Sequence, residues 1–251
     1  MDGADAARWS AVADGWAELW GDFAEPAWTA VLDASGAGPG DRVLDVGCGS
    51  GDLLAHLDRL GLTTAGIDPA PGMVALARER VPGSDIQVGG AEQLPWPDST
   101  FDLVISVNAL QFADDTADAF AELVRVTRPG GAIAIVNWAE GDRNDLDTIE
   151  AALAEEAGED PRPDGDLRLP GGHEHLLEEG GLDVVASGIV EVPWHAADDD
   201  TLVRAILLGE DPETLTELAP TVIAAAEPFR TPDNGYHLVN HFRFGLGRKA
   251  G

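Results

Sequence analysis

The sequence has a single cysteine, Cys48, in 251 residues, so no disulfide can form within the chain and a reducing cytoplasm is the expected setting. Basic residues are scarce: 15 Lys and Arg stand against 46 Asp and Glu, a formal net charge of −31. Nucleic acids and anionic membranes need cationic surface to displace counterions, so neither is an expected partner. The acidic excess reads as a solvated surface that aids solubility; steering of a cationic substrate is the alternative. No apolar run reaches the ~18 residues that span a bilayer, and Met1-Asp2-Gly3-Ala4-Asp5 lacks the basic and apolar regions of a signal peptide. No Cys, His or carboxylate cluster has metal-ligand spacing, and His173-x-His175 is too little alone, so no metal is expected. The expectation is a soluble, cytoplasmic monomer or homodimer whose partner is a small molecule.

What is present is concentrated in Val43-Leu44-Asp45-Val46-Gly47-Cys48-Gly49-Ser50-Gly51. A short buried strand runs into three glycines spaced two apart, and Asp52-Leu53-Leu54 opens a helix. Backbone N–H groups of such a turn, and the positive end of the helix, form a site for a polar ligand. Glycine lets that ligand approach the main chain closely.

Around this turn the chain alternates short apolar strands with helices. Strands are expected near 42–46, 63–67, 86–88, 103–107 and 132–136, with helices at about 52–60, 71–80 and from 114 onward. Ser50 is placed to cap the first of these helices and Gly61 to end it. Before the first strand, Trp9, Val12, Trp16, Leu19, Trp20 and Phe23 share one helical face that Pro26 should end; they either dock the helix on the core or form a lid over a ligand. After Trp138 come a helix near 146–157, an acidic proline-rich loop, a strand near 182–192, helices near 201–208 and 213–227, and a last strand near 237–246. The pattern is an α/β, doubly wound parallel sheet in one domain of residues 1–251. It divides into a helical cap (1–38), a ligand-binding core (39–138) and a substrate-side part (139–251).

The ligand is narrowed by two residues. A dinucleotide fingerprint would place a third glycine where Asp52 stands, and a carboxylate there repels pyrophosphate. Asp68, at the end of the second strand, is placed to accept bonds from ribose hydroxyls. Asp45 and a phosphate-poor turn suit an ammonium group. Ribose with ammonium, without phosphate, points to a nucleoside amino acid.

These residues resemble class I S-adenosylmethionine-dependent methyltransferases, in the small-molecule branch related to ubiquinone and menaquinone biosynthesis. The resemblance is carried by the glycine turn, Gly66-Ile67-Asp68-Pro69, Gly72-Met73, Ala91-Glu92-Gln93-Leu94-Pro95-Trp96-Pro97-Asp98, Phe101-Asp102-Leu103-Val104 and Arg128-Pro129-Gly130-Gly131, in the family's order over residues 40–138. It implies a Rossmann-like seven-stranded sheet, mostly parallel with an antiparallel last strand, an N-terminal helical lid and helical insertions in the C-terminal third. It implies S-adenosyl-L-methionine as cofactor and S-adenosyl-L-homocysteine as product. Gly47, Gly49 and Gly51 would line the methionine and ribose, with Asp45 near the amino group and Asp68 on the ribose. Pro69 and Met73 would pack on adenine, Ala91 would offer its N–H to the ring beside Glu92 and Gln93, and Asn108 would bound the methionine side. Gly90 stands where the family often has Asp, so a backbone carbonyl or Glu92 must take over the adenine amino group, or adenine is held less tightly.

The acceptor should lie past the fourth and fifth strands, among Gln111, Phe112 and Trp138, with Trp16 and Trp20 of the N-terminal helix. A general base is needed only if an acceptor proton must leave before transfer; His195, past the strand ending at Val192, and His241, on the last strand, are the first candidates. The expected reaction is methyl transfer to O, N or C of a small organic molecule, such as a secondary metabolite. A non-methylating enzyme using the same cofactor for a cyclisation or rearrangement, and a cofactor-binding scaffold, stay open as alternatives.

Overall fold

Short apolar runs separated by glycine turns and amphipathic helices build one seven-stranded sheet in the computed structural model, which describes residues 3–251. The strands are β1 (Arg42–Val46), β2 (Thr63–Asp68), β3 (Asp85–Val88), β4 (Phe101–Val107), β5 (Thr127–Trp138), β6 (Leu182–Ala196) and β7 (Tyr236–Lys249), in spatial order β3-β2-β1-β4-β5-β7-β6. β1 to β5 pair in parallel, and β7 runs antiparallel between β5 and β6, as the resemblance implied. The chain crosses from β3 back over β1 to start β4. That reversal leaves a crevice where the ends of β1 and β4 diverge, the usual ligand site of an open α/β sheet.

Alternate residues of each strand feed opposite layers. Val43, Leu103 and Ala134 pack with Trp28 and Val31 of α3 (Glu25–Ser35) and Leu53 and Leu57 of α4 (Asp52–Arg59). Leu44, Val104 and Ile133 pack the other way, on Phe120 and Leu123 of α6 (Thr116–Val126) and Leu177 of α8 (Gly172–Glu179). A third apolar cluster joins Trp20, next to α2 (Ala13–Leu19), to Leu146 of α7 (Asp145–Ala157), Leu202 of α9 (Asp199–Ile206) and Val222 of α10 (Pro212–Ala226) around Trp194 and Tyr236. The C-terminal helices therefore bury their apolar faces against the N-terminal cap and the far ends of β6 and β7. Among the described residues no helix is long and apolar enough to cross a membrane.

Four of the differences between local expectation and structure bear on how the elements meet. The N-terminal helix breaks at Val12 into α1 (Gly3–Ala11) and α2: α1 packs on α5 (Pro71–Arg80), where Gly72 N donates to Ser10 Oγ at 3.2 Å, while α2 keeps Ala13 against Met73 of α5 and also reaches α9. Pro26 lies in the first turn of α3, where its missing N–H costs nothing, so it begins a helix rather than ending one. Ser50 does not cap α4; Gly51 holds that position at φ 82°, and Ser50 Oγ donates to Asp52 instead. β6 continues past Val192 to Ala196, because β7 keeps pairing with it as far as Tyr236.

Gly51 is required on two grounds. Its φ is left-handed, and a Cβ there would stand 2.8 Å from Ala77 Cα and Cβ on α5. Gly51→Ala should therefore lower unfolding free energy by about 2–4 kcal/mol in urea titration, from strain plus overpacking; a loss below ~0.5 kcal/mol would show that α4 and α5 can separate freely.

Candidate cofactor and acceptor site

A cavity of about 770 Å³ opens at the β1/β4 crevice, with the glycine turn as its floor. The three glycines do different work. A Cβ on Gly47 would lie 2.1 Å from Ala109 Cβ, so Gly47 lets the turn pack beneath the loop after β4. Gly51, turned toward α5, does not line the cavity. Gly49 is the open one: the nearest atom to its missing Cβ is Trp16 Nε1, at 4.0 Å, so a ligand between turn and indole would meet bare backbone.

Asp68 ties the floor together. Its Oδ2 accepts from Gly49 N at 3.0 Å and its Oδ1 from Ala70 N at 2.8 Å, joining the turn after β1 to the entry into α5. Burial raises its pKa despite those bonds. Asp45, at 3 % exposure, accepts no hydrogen bond among the described residues. Burial first, then the neighbouring charges of Asp68 and Asp52, push its pKa up to about 8. A buried carboxylate wall without a counter-ion is the electrostatic complement of a cation. Asp52 is already matched, by an ion pair with Arg80 and a bond from Ser50 Oγ at 2.6 Å, so α4 begins on the protein's own carboxylate.

Pro69, Met73, Ala91 and Glu92 line the same cavity, with Met73 buried, whereas Gln93 is exposed and lies off it. Glu92 fills the space left by Gly90: its Oε2 is 2.6 Å from where a Cβ on residue 90 would be, and its Oε1 accepts from Asp114 N at 2.7 Å.

The other end of the cavity is walled by side chains from distant parts of the chain. Asn108 adopts a left-handed φ of 50°, donates from its N to Val136 O at 2.8 Å and accepts from Trp138 N at 3.0 Å, bracing the ends of β4 and β5 together. Gln111, Phe112 and Trp138 line the cavity beyond it. Trp16 and Trp20 stack at 6.2 Å and both line it, but their duties divide: Trp20 is buried, donates to Ala205 O at 3.2 Å and stacks on Trp194 at 4.7 Å, while Trp16 faces Gly49. One helical face thus both docks and covers. Leu146, Leu153 and Ile206 complete the wall from the C-terminal helices, whose sequence pattern shows a buried face but not what it faces.

The histidines lie elsewhere. His195 sits within β6 opposite His237, the rings stacked at 4.4 Å on an exposed face, and His241 Nδ1 bonds to Arg143 O at 2.7 Å; neither lines the cavity. Instead the structure brings buried His173 close to it through Asn137, a pair without any recognisable spacing in the sequence.

Asp45 also carries a stability signature. An acid held near pH 8 in the fold, against an ordinary value of 3.8, loses folding stability as pH rises between those values. Asp45→Asn should raise Tm by about 4 °C or more at pH 8 and by less at pH 5; a lower Tm at both pH values would contradict an uncompensated charge.

The methyltransferase domain family matches residues 44–135, the stretch from β1 through β5 that builds the floor of this cavity. Malonyl-[acyl-carrier protein] O-methyltransferase of Serratia marcescens is 37% identical over 116 residues, 46% of this chain and 46% of that protein. Demethylmenaquinone methyltransferase of Renibacterium salmoninarum is 37% identical over 108 residues, 43% of this chain and 46% of that one. The chain thus aligns with less than half the length of these relatives. Among solved structures, the YcgJ protein of Bacillus subtilis superposes with a TM-score of 0.60 at 16% identity, covering 90% of this chain and 98% of that one, a likeness of fold. The glycine turn, the strand order and the sequence match fall on the same residues, so residues 44–135 are similar in sequence to the methyltransferase domain family.

Proposed function

We propose that the protein, as one domain, transfers a methyl group from S-adenosyl-L-methionine to O, N or C of a small organic acceptor, releasing S-adenosyl-L-homocysteine. The observation that carries this is the pairing, in one cavity, of a carboxylate-rich floor with an aromatic wall. Asp45 fits an ammonium group, Asp68 retains lone pairs for ribose hydroxyls, and Glu92, held in the space beside Gly90, suits the adenine amino group. Bare backbone at Gly49 leaves room for the ligand's middle. The volume, about 770 Å³, falls within the range of about 300–1,000 Å³ typical of small-ligand sites.

Bound S-adenosylmethionine supplies a methyl group already activated on sulfur. The protein's task is then to hold an acceptor atom in line, ~3 Å from that methyl, which provides most of the catalysis. Asn108 fixes the loop that faces the acceptor, and Trp16 and Trp138 shield the space from water. No histidine is among the described residues on this wall, but Asp147 and Glu150 line the cavity with pKa values raised chiefly by burial, so a carboxylate is the available base where an acceptor needs one. The relatives are named for a malonyl-acyl carrier and for a quinone precursor, and they match over the cofactor half, so likeness to them does not select the acceptor.

Incubation with S-adenosylmethionine and a panel of phenols, amines and β-dicarbonyls should release S-adenosylhomocysteine with at least one. Cofactor binding without turnover on the whole panel would move the assignment to a non-methylating enzyme or a scaffold. Asp68→Ala should weaken cofactor binding by ~1.5–3 kcal/mol in calorimetry; unchanged affinity would sink the ribose role. An ammonium beside Asp45 favours its ionised form, so binding below pH 8 should expel a proton and affinity should rise with pH up to about 8. A profile that is flat from pH 6 to 8.5 would remove Asp45 from the site.

A further inference from the structure

Gln111 stands in the short turn after β4 and projects its amide at the acceptor end of the cavity. Its Oε1 is engaged by Asn137 Nδ2, while Asn137 Oδ1 meets His173 Nε2 at 3.2 Å. Asn137 lies on β5 at 2 % exposure, and His173 on α8 is fully buried. His173 reaches this depth because β7 carries glycine opposite it; a Cβ on Gly245 would be 2.7 Å from His173 Cβ. Burial lowers the pKa of His173 to about 4, so the ring is neutral at physiological pH and donates through one nitrogen only.

The polarity is set by the His173 tautomer and by the amide orientations of Asn137 and Gln111, and the Leu167 backbone carbonyl is a second acceptor for the His173 ring. With the His173 proton on Nε2, that nitrogen donates to Asn137 Oδ1, Asn137 Nδ2 donates to Gln111 Oε1, and Gln111 is left with its two N–H bonds and no acceptor among the described residues. A free glutamine amide can rotate to offer either end; this one is held.

We propose that His173 and Asn137 are positioning residues that lock Gln111 as a hydrogen-bond donor, making the protein selective for acceptors bearing a carbonyl, carboxylate or phenolate-type oxygen beside the atom that is methylated. The inference rests on the acceptor lying at this end of the cavity, as the proposed reaction requires. A molecule offering only N–H there would leave both its own donor and Gln111 unpaired, a mismatch that costs affinity.

Two neutral probes of similar size read the polarity directly: acetophenone, which only accepts, and indole, which donates through its N–H. NMR titration of the wild-type protein, with and without S-adenosylhomocysteine, should show preference for acetophenone. Gln111→Leu should cut the acetophenone-to-indole affinity ratio about fivefold to tenfold, the worth of one hydrogen bond. Asn137→Asp should invert it, since a carboxylate only accepts and would turn Gln111 to present its oxygen. A role confined to packing would shift both probes together and leave the ratio alone. Preference for indole in the wild type, or an unchanged ratio in either variant, overturns the proposal. Should Asn137→Asp fail to fold, ¹⁵N-histidine spectra of the wild type decide the polarity: the His173 proton belongs on Nε2, and a proton on Nδ1 refutes it. Absence of S-adenosylhomocysteine binding speaks against the methyl-donor reading alone, because the probe ratio is also read without it.

Discussion

Asp68 is the clasp on which the site depends. Two backbone N–H groups, Gly49 after β1 and Ala70 before α5, converge on one carboxylate and hold two βα units at a common level. The arrangement places Asp68 beside Asp45 in the protein interior, where burial raises the cost of ionising both and the Asp68 charge adds to that cost at Asp45. A fold that gathers buried carboxylates around an open glycine gives up stability when empty and regains it from a cationic ligand. The unpartnered state of Asp45 and the presence of a ligand cavity are thus one fact seen twice.

The aromatic cap completes the other half. Trp20 and Trp194 stack and exchange bonds with the backbones of α9 and α2, Trp20 donating to Ala205 O and Trp194 to Leu19 O, which fixes the cap on the C-terminal helices. With Trp20 immobilised, Trp16 one turn away is aimed at Gly49. The same helical stripe therefore docks through one residue and covers ligand space through another. The two readings of that stripe were never exclusive.

Glycines, strand-end acids and short apolar runs made β1 to β5 legible, because each βα unit is built from neighbours in sequence and its signals are local. Gly47, Gly49, Asp45 and Asp68 could be picked out for the same reason. Gly51 and Gln93 share the motif but not the cavity, since side-chain direction within a turn is decided by what packs against it: Ala77 in the first case, solvent in the second. Pro26 misled because a proline that stops one helix and a proline that starts the next look identical without the partner helix.

The sequence alone determined the β1–β5 floor of the cavity, from the order of its strands to the acids at their ends, because those residues are fixed by backbone geometry within about thirty positions of one another. Tertiary structure decided the opposite wall. His195, attractive by its place near a strand end, went to an exposed ladder because β7 continued to pair with β6. His173, noted in the sequence only for a weak His-x-His spacing, came within one amide of Gln111 because Gly245 made room on the facing strand. Contacts across 36 residues and more leave no spacing to read; they exist only once the sheet has brought β5, β7 and α8 together.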